Sequence, residues 1–568
     1  MSDPSPTAGR TGTSPSRLTL LGLLLGVVLA TLDGTITATA LPVIVGDLGG
    51  VDQLSWVVTA YLLASSVATP LWGKAGDLYG RKGAYLVSIG VFLAGSVLCG
   101  LARDMGQLIA FRTLQGLGAG GMFVGSLALI GTLLPPRESG RAQAMIGAVL
   151  PAAFLGGPLV GGFLTDQLSW RWTFYVNVPL GALAVLIVVT RVRLRQPRIK
   201  APVDLLGAAL LTTGILAVTL LATWAGTAYP WWSAPVAGLA LLSAGSLYWF
   251  LRVERRVPEP VLPVRLFRDR GFATAQAISL LVGAAMLALS SYLPQYLQYA
   301  RGASSTGSGL LLLPLSMGMI VVQLVTGRLI SATGRYRIYP ILGGAVVAAG
   351  ALGLFVLVGT GTSTWVVTAL SLVIGAGLGL LLQSTMVITM NSTGPRDLGA
   401  ASGTVTLLRG IGGSLGVAVL GSAYAARVDG TLEERLGAAG GRLTDSSGQL
   451  APDALAELPA AQADALREAV TGGLHAVALG ALLLGALSFA LAWLIREVPL
   501  RTRSAEEELA GDGTGGGPDG AGDGAGDGAG DDDGDGTGVS PGVSPSPAGS
   551  RDRPAGVPPA SRPGPAAP

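Results

Sequence analysis

Residues 73–82 read Gly-Lys-Ala-Gly-Asp-Leu-Tyr-Gly-Arg-Lys, and residues 327–335 read Gly-Arg-Leu-Ile-Ser-Ala-Thr-Gly-Arg. Both stretches fit the pattern G-x-x-x-(D or S)-x-x-G-R, and each joins two long apolar segments. A motif that recurs at this separation predicts two homologous halves in one chain. Two repeated halves with a binding site between them are typical of membrane transporters.

The composition excludes a soluble globular enzyme. The chain has 568 residues, of which 50% are hydrophobic and only 12% are charged, and its mean hydropathy is +0.57. A soluble domain carries about 25% charged residues. The single Cys and single His leave no residues for a disulfide scaffold or a zinc site of Cys and His, so no metal is expected.

The apolar segments predict an all-α polytopic membrane protein with fourteen spans, because a spanning helix needs ~20 mostly apolar residues. The predicted spans are 18–41, 54–73, 84–101, 107–134, 142–164, 172–190, 203–223, 232–251, 272–293, 308–330, 338–358, 365–389, 399–425 and 472–495.

The repeat divides these spans into two halves. Residues 18–190 form a first six-helix half, residues 272–495 form a second, and 203–251 hold two inserted helices. The predicted segments outside the spans are the N-terminus 1–17, an external loop 426–471 and an acidic Gly/Asp/Pro-rich tail 504–568. The tail has almost no large apolar residues and is predicted to be disordered.

Lys and Arg set the predicted orientation. They cluster in the loops around 74–82, 137–141, 191–200, 252–270 and 328–337, all on one side of the membrane. The positive-inside rule makes that side cytoplasmic, so both termini are predicted to be cytoplasmic, in a bacterial plasma membrane. Topology thus explains the basic charge, and no nucleic-acid partner is expected.

Five motifs carry a resemblance to a known family. Residues 73–82 resemble the loop signature of the major facilitator superfamily. More specifically, four further stretches resemble motifs of its fourteen-span drug–proton antiporters (EmrB/QacA type): 32–42, 112–120, 157–162, and 170–172 with 177–179. The resemblance covers about residues 18–496 and implies the major facilitator fold.

Asp33 is the only acid deep within an apolar span. Burial disfavours its charged form, so this carboxyl is predicted to carry a proton. The alternative is a structural Asp at a helix break near Gly34. The resemblance implies that Asp33 couples transport to protons and that Arg112 and Gln115 act as a proton relay. For Arg112 the alternative is an interfacial Arg that snorkels to the membrane surface.

The loop after span two is a candidate gate. Gly73 and Gly80 permit a tight turn, and Asp77 can hold a helix N-terminus or an Arg across the interface between the halves. With Arg81 it would form a latch when the cytoplasmic side is closed. Ser331 replaces the acid in the second copy, so the latch is predicted on one side only. The alternative is a plain turn.

The fifth span carries Gly157, Pro158, Gly161 and Gly162. Small residues let helices approach closely. The resemblance implies a seal between the halves that favours antiport, which is compatible with ordinary tight packing. Polar or aromatic residues within or at the ends of spans are candidates for the substrate cavity: Trp56, Tyr61, Tyr292, Gln295, Gln323, Gln383 and Arg409.

Proton-coupled efflux of lipophilic drugs or antibiotics is the predicted function. The chain has no Walker loop G-x-x-x-x-G-K-(S or T), so the proton motive force, with no cofactor, is expected to supply the energy. Because Asp33 is the one deep carboxylate, the substrate is expected to be neutral or monocationic. Alternatives are an exporter of one natural product, a proton-coupled importer and, with less support, a non-transporting sensor. An enzyme is not expected, because no catalytic constellation is present.

Overall fold

The computed structural model describes residues 17–49, 53–192, 194, 204–225, 229–230, 232–303, 305–437 and 459–500. These residues build a bundle of helices joined by short turns. The helices are α1 Arg17–Leu48, α2 Leu54–Tyr79, α3 Arg81–Leu101, α4 Met105–Leu133, α5 Pro136–Gln167, α6 Trp172–Tyr175, α7 Asn177–Arg191, α8 Leu205–Trp224, α9 Ala234–Glu254, α10 Arg270–Gln295, α11 Ser305–Thr333, α12 Ile338–Leu357, α13 Thr364–Asn391, α14 Leu398–Leu436 and α15 Ala460–Ala492.

The all-α membrane fold is confirmed. Within the described residues, 12 helical segments are long and apolar enough to cross a membrane, with α6 and α7 forming one of them. The bundle contains two further long helices, α2 with 26 residues and α5 with 32. The predicted number of fourteen crossings stays a prediction.

Two boundaries differ from the sequence prediction. Span 172–190 is interrupted between α6 and α7. Helices α14 and α15 extend into the predicted external loop 426–471, because α14 continues to Leu436 and α15 already begins at Ala460. The external position of this segment stays a prediction. The buried residues Leu432 and Leu466 lie on these extensions, and Arg435 pairs with Glu468 at 2.6 Å. Residues 438–458 of that loop, most of segment 1–17 and the tail 504–568 lie outside the described residues.

Two separate hydrophobic cores correspond to the two halves. The larger lies wholly between Ala275 and Leu500. The other lies mainly between Leu23 and Val192 but also contains side chains of α13 and α14, namely Met386, Met390, Leu398 and Val405. The halves therefore share apolar contacts along this seam.

The inserted helices lie against the same seam. Leu211 and Ile215 of α8 and Phe250 of α9 form a small core with Val67 of α2 and Leu407 of α14. Because α2 belongs to the first half and α14 to the second, the inserted pair contacts both halves. This position explains how two extra helices join the bundle without separating its halves.

A close backbone approach between the halves lies at one end of the bundle, called here the basic end because it carries the 73–82 turn. A Cβ on Gly73 of α2 would lie 2.5 Å from the Gly399 carbonyl oxygen of α14. A Cβ on Gly399 would lie 2.3 Å from the Gly73 carbonyl oxygen. Only glycine allows this contact, which places the two helices within reach of one another's polar groups.

Candidate functional site

Asp33 lies at the centre of a buried polar cluster in the first half. It is 0% exposed and accepts hydrogen bonds from Arg112 Nη1 at 2.5 Å, Gln115 Nε2 at 2.8 Å and Asn177 Nδ2 at 2.7 Å. Arg112 and Gln115 are also 0% exposed. Arg112 is thus a buried partner of Asp33, and the interpretation of a snorkelling interfacial Arg does not apply.

A second ring of contacts fixes these donors. Arg112 Nη1 also donates to Gln115 Oε1 at 2.8 Å. Gln115 and Asn177 both donate to Ser96 Oγ, at 3.2 and 3.0 Å. The Arg112 guanidinium lies 4.1 Å from the centroid of the Tyr61 ring. Each side chain therefore has a defined partner, as a buried polar group requires.

The cluster has the chemistry of a carboxylate site. Its three donors include one cation, and an ionised carboxyl accepts such bonds better than a protonated one. The sequence argument considered burial alone, which disfavours the charged form of Asp33. The structure adds a compensating Arg112. A proton that binds Asp33 must therefore compete with Arg112, so protonation and release of the guanidinium are linked.

Sequence reasoning assigned no role to Asn177 or Ser96. The break at Val176 places Asn177 at the first position of α7, where its side chain points to Asp33. Ser96 donates to the Phe174 carbonyl oxygen at 2.8 Å, which fixes the turn before this break. A polar residue at the start of an apolar helix was the available signal for Asn177. The buried Ser96 offered none.

The gate candidate joins the two halves at the basic end. Asp77 Oδ1 accepts from Arg81 Nη2 at 2.7 Å and from the Gly399 amide at 3.0 Å, and Asp77 Oδ2 accepts from the Ala400 amide at 2.8 Å. The carboxylate thus lies at the N-terminus of α14, where a negative charge is stabilised. Gly80 turns the chain with φ +102°.

Arg81 adds further contacts to this gate. Its Nη2 donates to the Pro395 carbonyl oxygen at 2.7 Å, and its Nη1 contacts Thr132 Oγ1 of α4. The guanidinium therefore connects the first half to the turn that precedes α14. Together, Asp77 and Arg81 close the basic end of the bundle in this structure.

Charges of the 254–270 segment lie around the same gate. Lys74 pairs with Glu259 at 2.7 Å, and Arg265 pairs with Asp397 at 2.8 Å. Glu254 accepts from the Val261 amide at 3.1 Å. In the sequence these charges served only to predict orientation. In the structure, these ion pairs hold the 254–270 segment, which connects the inserted helices to the second half, against both sides of the gate. Lys74 belongs to the first half and Asp397 to the second.

The Gly-Pro motif of α5 packs inside the first half. A Cβ on Gly157 would lie 2.0 Å from Thr35 Oγ1 of α1, two residues from Asp33. Gly161 is buried, whereas a Cβ on Gly162 would meet no described atom within 4 Å beyond its own stretch of helix. The side chain of Pro158 lies outside the described residues. Gly157 thus lets α1 pack closely against α5, and the seal between the halves stays a prediction.

The candidate cavity residues do not form one group. Tyr61 belongs to the Asp33 cluster, Trp56 packs edge-on against Trp224 of α8 at 6.4 Å, and Tyr292 stacks on Tyr424 at 4.9 Å. The remaining candidates are buried or partly buried side chains of the second half: Gln295, Gln323, Gln383 and Arg409.

Gln323 marks a contact between the halves. A Cβ on Gly147 of α5 would lie 1.9 Å from Gln323 Nε2 of α11. The absence of a side chain at Gly147 therefore leaves room for this amide at the seam.

At the end of the bundle opposite the gate, Asp47 holds the turn before α6. Its carboxylate accepts from Trp170 Nε1 and from Arg171 Nη1, both at 2.9 Å. These bonds, with that of Trp170 the strongest, hold the pKa of Asp47 below its usual value. The contact anchors the end of α1 next to the break that positions Asn177.

Within the described residues, no group of three or more His, Cys, Asp or Glu side chains could hold a metal ion.

Comparison with known proteins gives concordant matches. The profile of the Major Facilitator Superfamily matches residues 23–417. An uncharacterised MFS-type transporter of Mycobacterium tuberculosis is 38% identical over 520 residues, which are 90% of this chain and 74% of that protein. The multidrug transporter protein MdtP of Bacillus subtilis is 31% identical over 520 residues, 87% of this chain and 96% of that protein.

A solved structure matches at the level of the fold alone. The human organic anion transporter MFSD10 superposes with a TM-score of 0.57 and 16% identity, covering 84% of this chain and all (100%) of that one. At this identity the likeness concerns the arrangement of the helices.

The buried ion pair predicts a non-additive double mutant. Arg112→Gln leaves Asp33 without its cation and should lower the free energy of unfolding by about 3–5 kcal/mol. Adding Asp33→Asn removes the uncompensated charge and should restore a large part of that loss. Thermal unfolding of the purified protein in detergent measures both. Additive losses in the double variant would show that the two side chains are not energetically coupled.

The gate predicts that Asp77→Asn opens the basic end. The amide cannot replace a carboxylate that serves Arg81 and the N-terminus of α14, so the open population should rise by roughly tenfold. Spin labels on Tyr79→Cys and Arg396→Cys, both exposed positions on opposite sides of the seam, report the distance by pulsed electron resonance. The native Cys99 is buried and should not be labelled.

Asp104→Asn is the matched control for the gate, because Asp104 caps its own helix α4 through Gln107. A distance distribution for Asp77→Asn that equals this control would contradict the latch.

Proposed function

The chain belongs to the Major Facilitator Superfamily, and we propose that it exports small lipophilic compounds in exchange for protons. The family match and the named transporter relatives identify a multi-pass membrane transporter rather than an enzyme. Support for drug efflux comes from relatives such as the Bacillus subtilis multidrug transporter. The observation that carries proton coupling is the buried Asp33 with its competing Arg112.

The ionised and protonated states of the Asp33 carboxyl supply the step that couples proton flow to transport. When the carboxyl is ionised, it holds Arg112, Gln115 and Asn177, as in this structure. When it binds a proton, the ion pair with Arg112 is lost, and α1 is free to move relative to α4. Inward flow of the proton and outward flow of substrate follow if each occupies only one of the two states.

The gate gives these states a direction. We assign the basic end to the cytoplasm, with both termini on that side, in a bacterial plasma membrane. The contacts of Asp77 with Gly399 and Ala400 then keep the cytoplasmic end closed. Uptake of substrate from the cytoplasm requires these bonds to break, which makes the gate part of the transport cycle.

The proton motive force is sufficient for such export. One proton contributes about 2.3 kcal/mol per 100 mV and about 1.4 kcal/mol per pH unit. For one exchanged proton, typical gradients sustain a substrate ratio of roughly ten to a few hundred. No cofactor is needed in this scheme.

The carboxylate cluster narrows the substrate. A neutral or monocationic compound was expected because Asp33 could serve as its partner. All three donors of the cluster are committed to that carboxylate, so a cationic drug would have to displace Arg112. The geometry therefore supports neutral lipophilic substrates over cations. Export of a single natural product remains the second candidate, since the separated cavity residues do not define a broad pocket.

Transport in everted vesicles tests the proposal. With a proton gradient imposed, vesicles with the wild-type chain should accumulate the neutral dye N-phenyl-1-naphthylamine, and addition of dye should dissipate the gradient. Asp33→Asn should abolish this gradient-dependent uptake, because the amide cannot take up a proton. Asp104→Asn is the matched control and should transport normally.

Each alternative outcome has a definite meaning. Undiminished gradient-driven uptake by Asp33→Asn would overturn the coupling role of this carboxyl. Dye that accumulates only when the gradient is reversed would identify an importer.

A further inference from the structure

The acids of the two sites already described have cationic partners. Asp33 pairs with Arg112, Asp77 with Arg81 and Asp397 with Arg265. Arg409 of α14, in contrast, is a charged residue without such a partner among the described residues. In the portion of the chain that the structure describes, no ion pair or hydrogen bond of its side chain is present, and its Nε is shielded from solvent without a partner.

Arg409 lies deep in the bundle. It follows Leu398, the first residue of α14, by eleven positions, or about 16 Å along the axis at 1.5 Å per residue. The hydrocarbon core of a bilayer is ~30 Å thick, so this depth is near its middle. The Arg409 main chain packs against α10, where a Cβ on Gly283 would lie 2.0 Å from its carbonyl oxygen.

Nothing nearby compensates the charge. Among the described residues, no carboxylate forms an ion pair with the Arg409 guanidinium, and its Nε is buried without a hydrogen-bond partner. An Arg side chain stays protonated in proteins. An isolated cation at this depth is costly, and charged residues there normally pair with one another or face a water-filled cavity. Because no carboxylate pairs with Arg409 in the described part of the chain, the guanidinium needs either water or an anionic ligand as its partner.

Space is available next to this residue. Arg409 is itself partly exposed. At Gly410, a Cβ would meet no described neighbour within 4 Å outside its own stretch of helix. A ligand can therefore approach the guanidinium in a way that is impossible at the fully buried Arg112.

We propose that Arg409 binds the anionic group of an acidic lipophilic substrate. This inference rests on the proposed export function and specifies its substrate class as compounds with a carboxylate, sulfonate or acidic phenol on an apolar body. The planar guanidinium offers two parallel donors to such a group. A cationic substrate would meet repulsion there, and the Asp33 cluster has no free carboxylate to offset it.

A matched pair of dyes isolates the charge. 1-Anilinonaphthalene-8-sulfonate and N-phenyl-1-naphthylamine share one aromatic skeleton and differ by the sulfonate. Equilibrium dialysis against the full chain in lipid nanodiscs, with empty discs subtracted, gives both affinities. The wild type should bind the anionic dye more tightly. Arg409→Gln should weaken that binding by roughly 10- to 100-fold and leave the neutral dye unaffected.

Two further variants separate ligand binding from a structural role. Arg409→Lys keeps the charge and should retain part of the preference for the anion. Arg427→Gln removes an exposed Arg from the same helix, five turns further on, and should change neither affinity. Without ligand, Arg409→Gln should unfold at the same or a higher temperature than wild type, because it removes an uncompensated charge.

The outcomes distinguish this inference from the export function itself. Equal loss of both dyes in Arg409→Gln, or a wild type that does not prefer the anion, would overturn the role of Arg409 while gradient-driven uptake of the neutral dye still supported export. A large drop in unfolding temperature without ligand would assign Arg409 to structure and also overturn the inference.

Discussion

The ion pair between Asp33 and Arg112 is the constraint around which the first half is built. Two charges inside an apolar bundle are tolerated only when their geometry is good and their remaining bonding capacity is satisfied. Gln115 and Asn177 supply those bonds, and Ser96 fixes both amides. The break between α6 and α7 and the close contact of α1 with α5 are then needed to bring the partners of Asp33 within reach.

The helix α4 connects this cluster to the gate. It runs without interruption from Met105 to Leu133. Arg112, near one end, holds Asp33, and Thr132, near the other, contacts Arg81. Release of Arg112 by a proton would free α4 at the cluster, and a rigid helix would carry any resulting movement to Arg81. If proton binding and gate opening are coupled as proposed, α4 is the element that both sites share.

The sequence predicted the helices and the individual charged residues better than the contacts between them. Low charge and long apolar segments predicted the helical membrane fold because lipid leaves few other solutions. The sequence also singled out Asp33 and Arg112, because a charged residue within an apolar segment is easily recognised. Asn177 is distant in sequence, and only the helix break reveals its role. The helical ends of segment 426–471 were not predicted, because polar residues end a hydrophobic pattern even where the helix continues.

The charges of the two halves determine which substrate charge the membrane potential favours for export. The Asp33 cluster is neutral when ionised, and Arg409 adds one uncompensated positive charge to the second half. If a monoanion leaves as one proton enters, both movements transfer positive charge inward, so the membrane potential acts on two charges and contributes about 4.6 kcal/mol per 100 mV. A neutral substrate would gain half of this, and a monocation would gain nothing. Under the proposed exchange for protons, an acidic substrate is therefore the class whose export would draw most on the membrane potential.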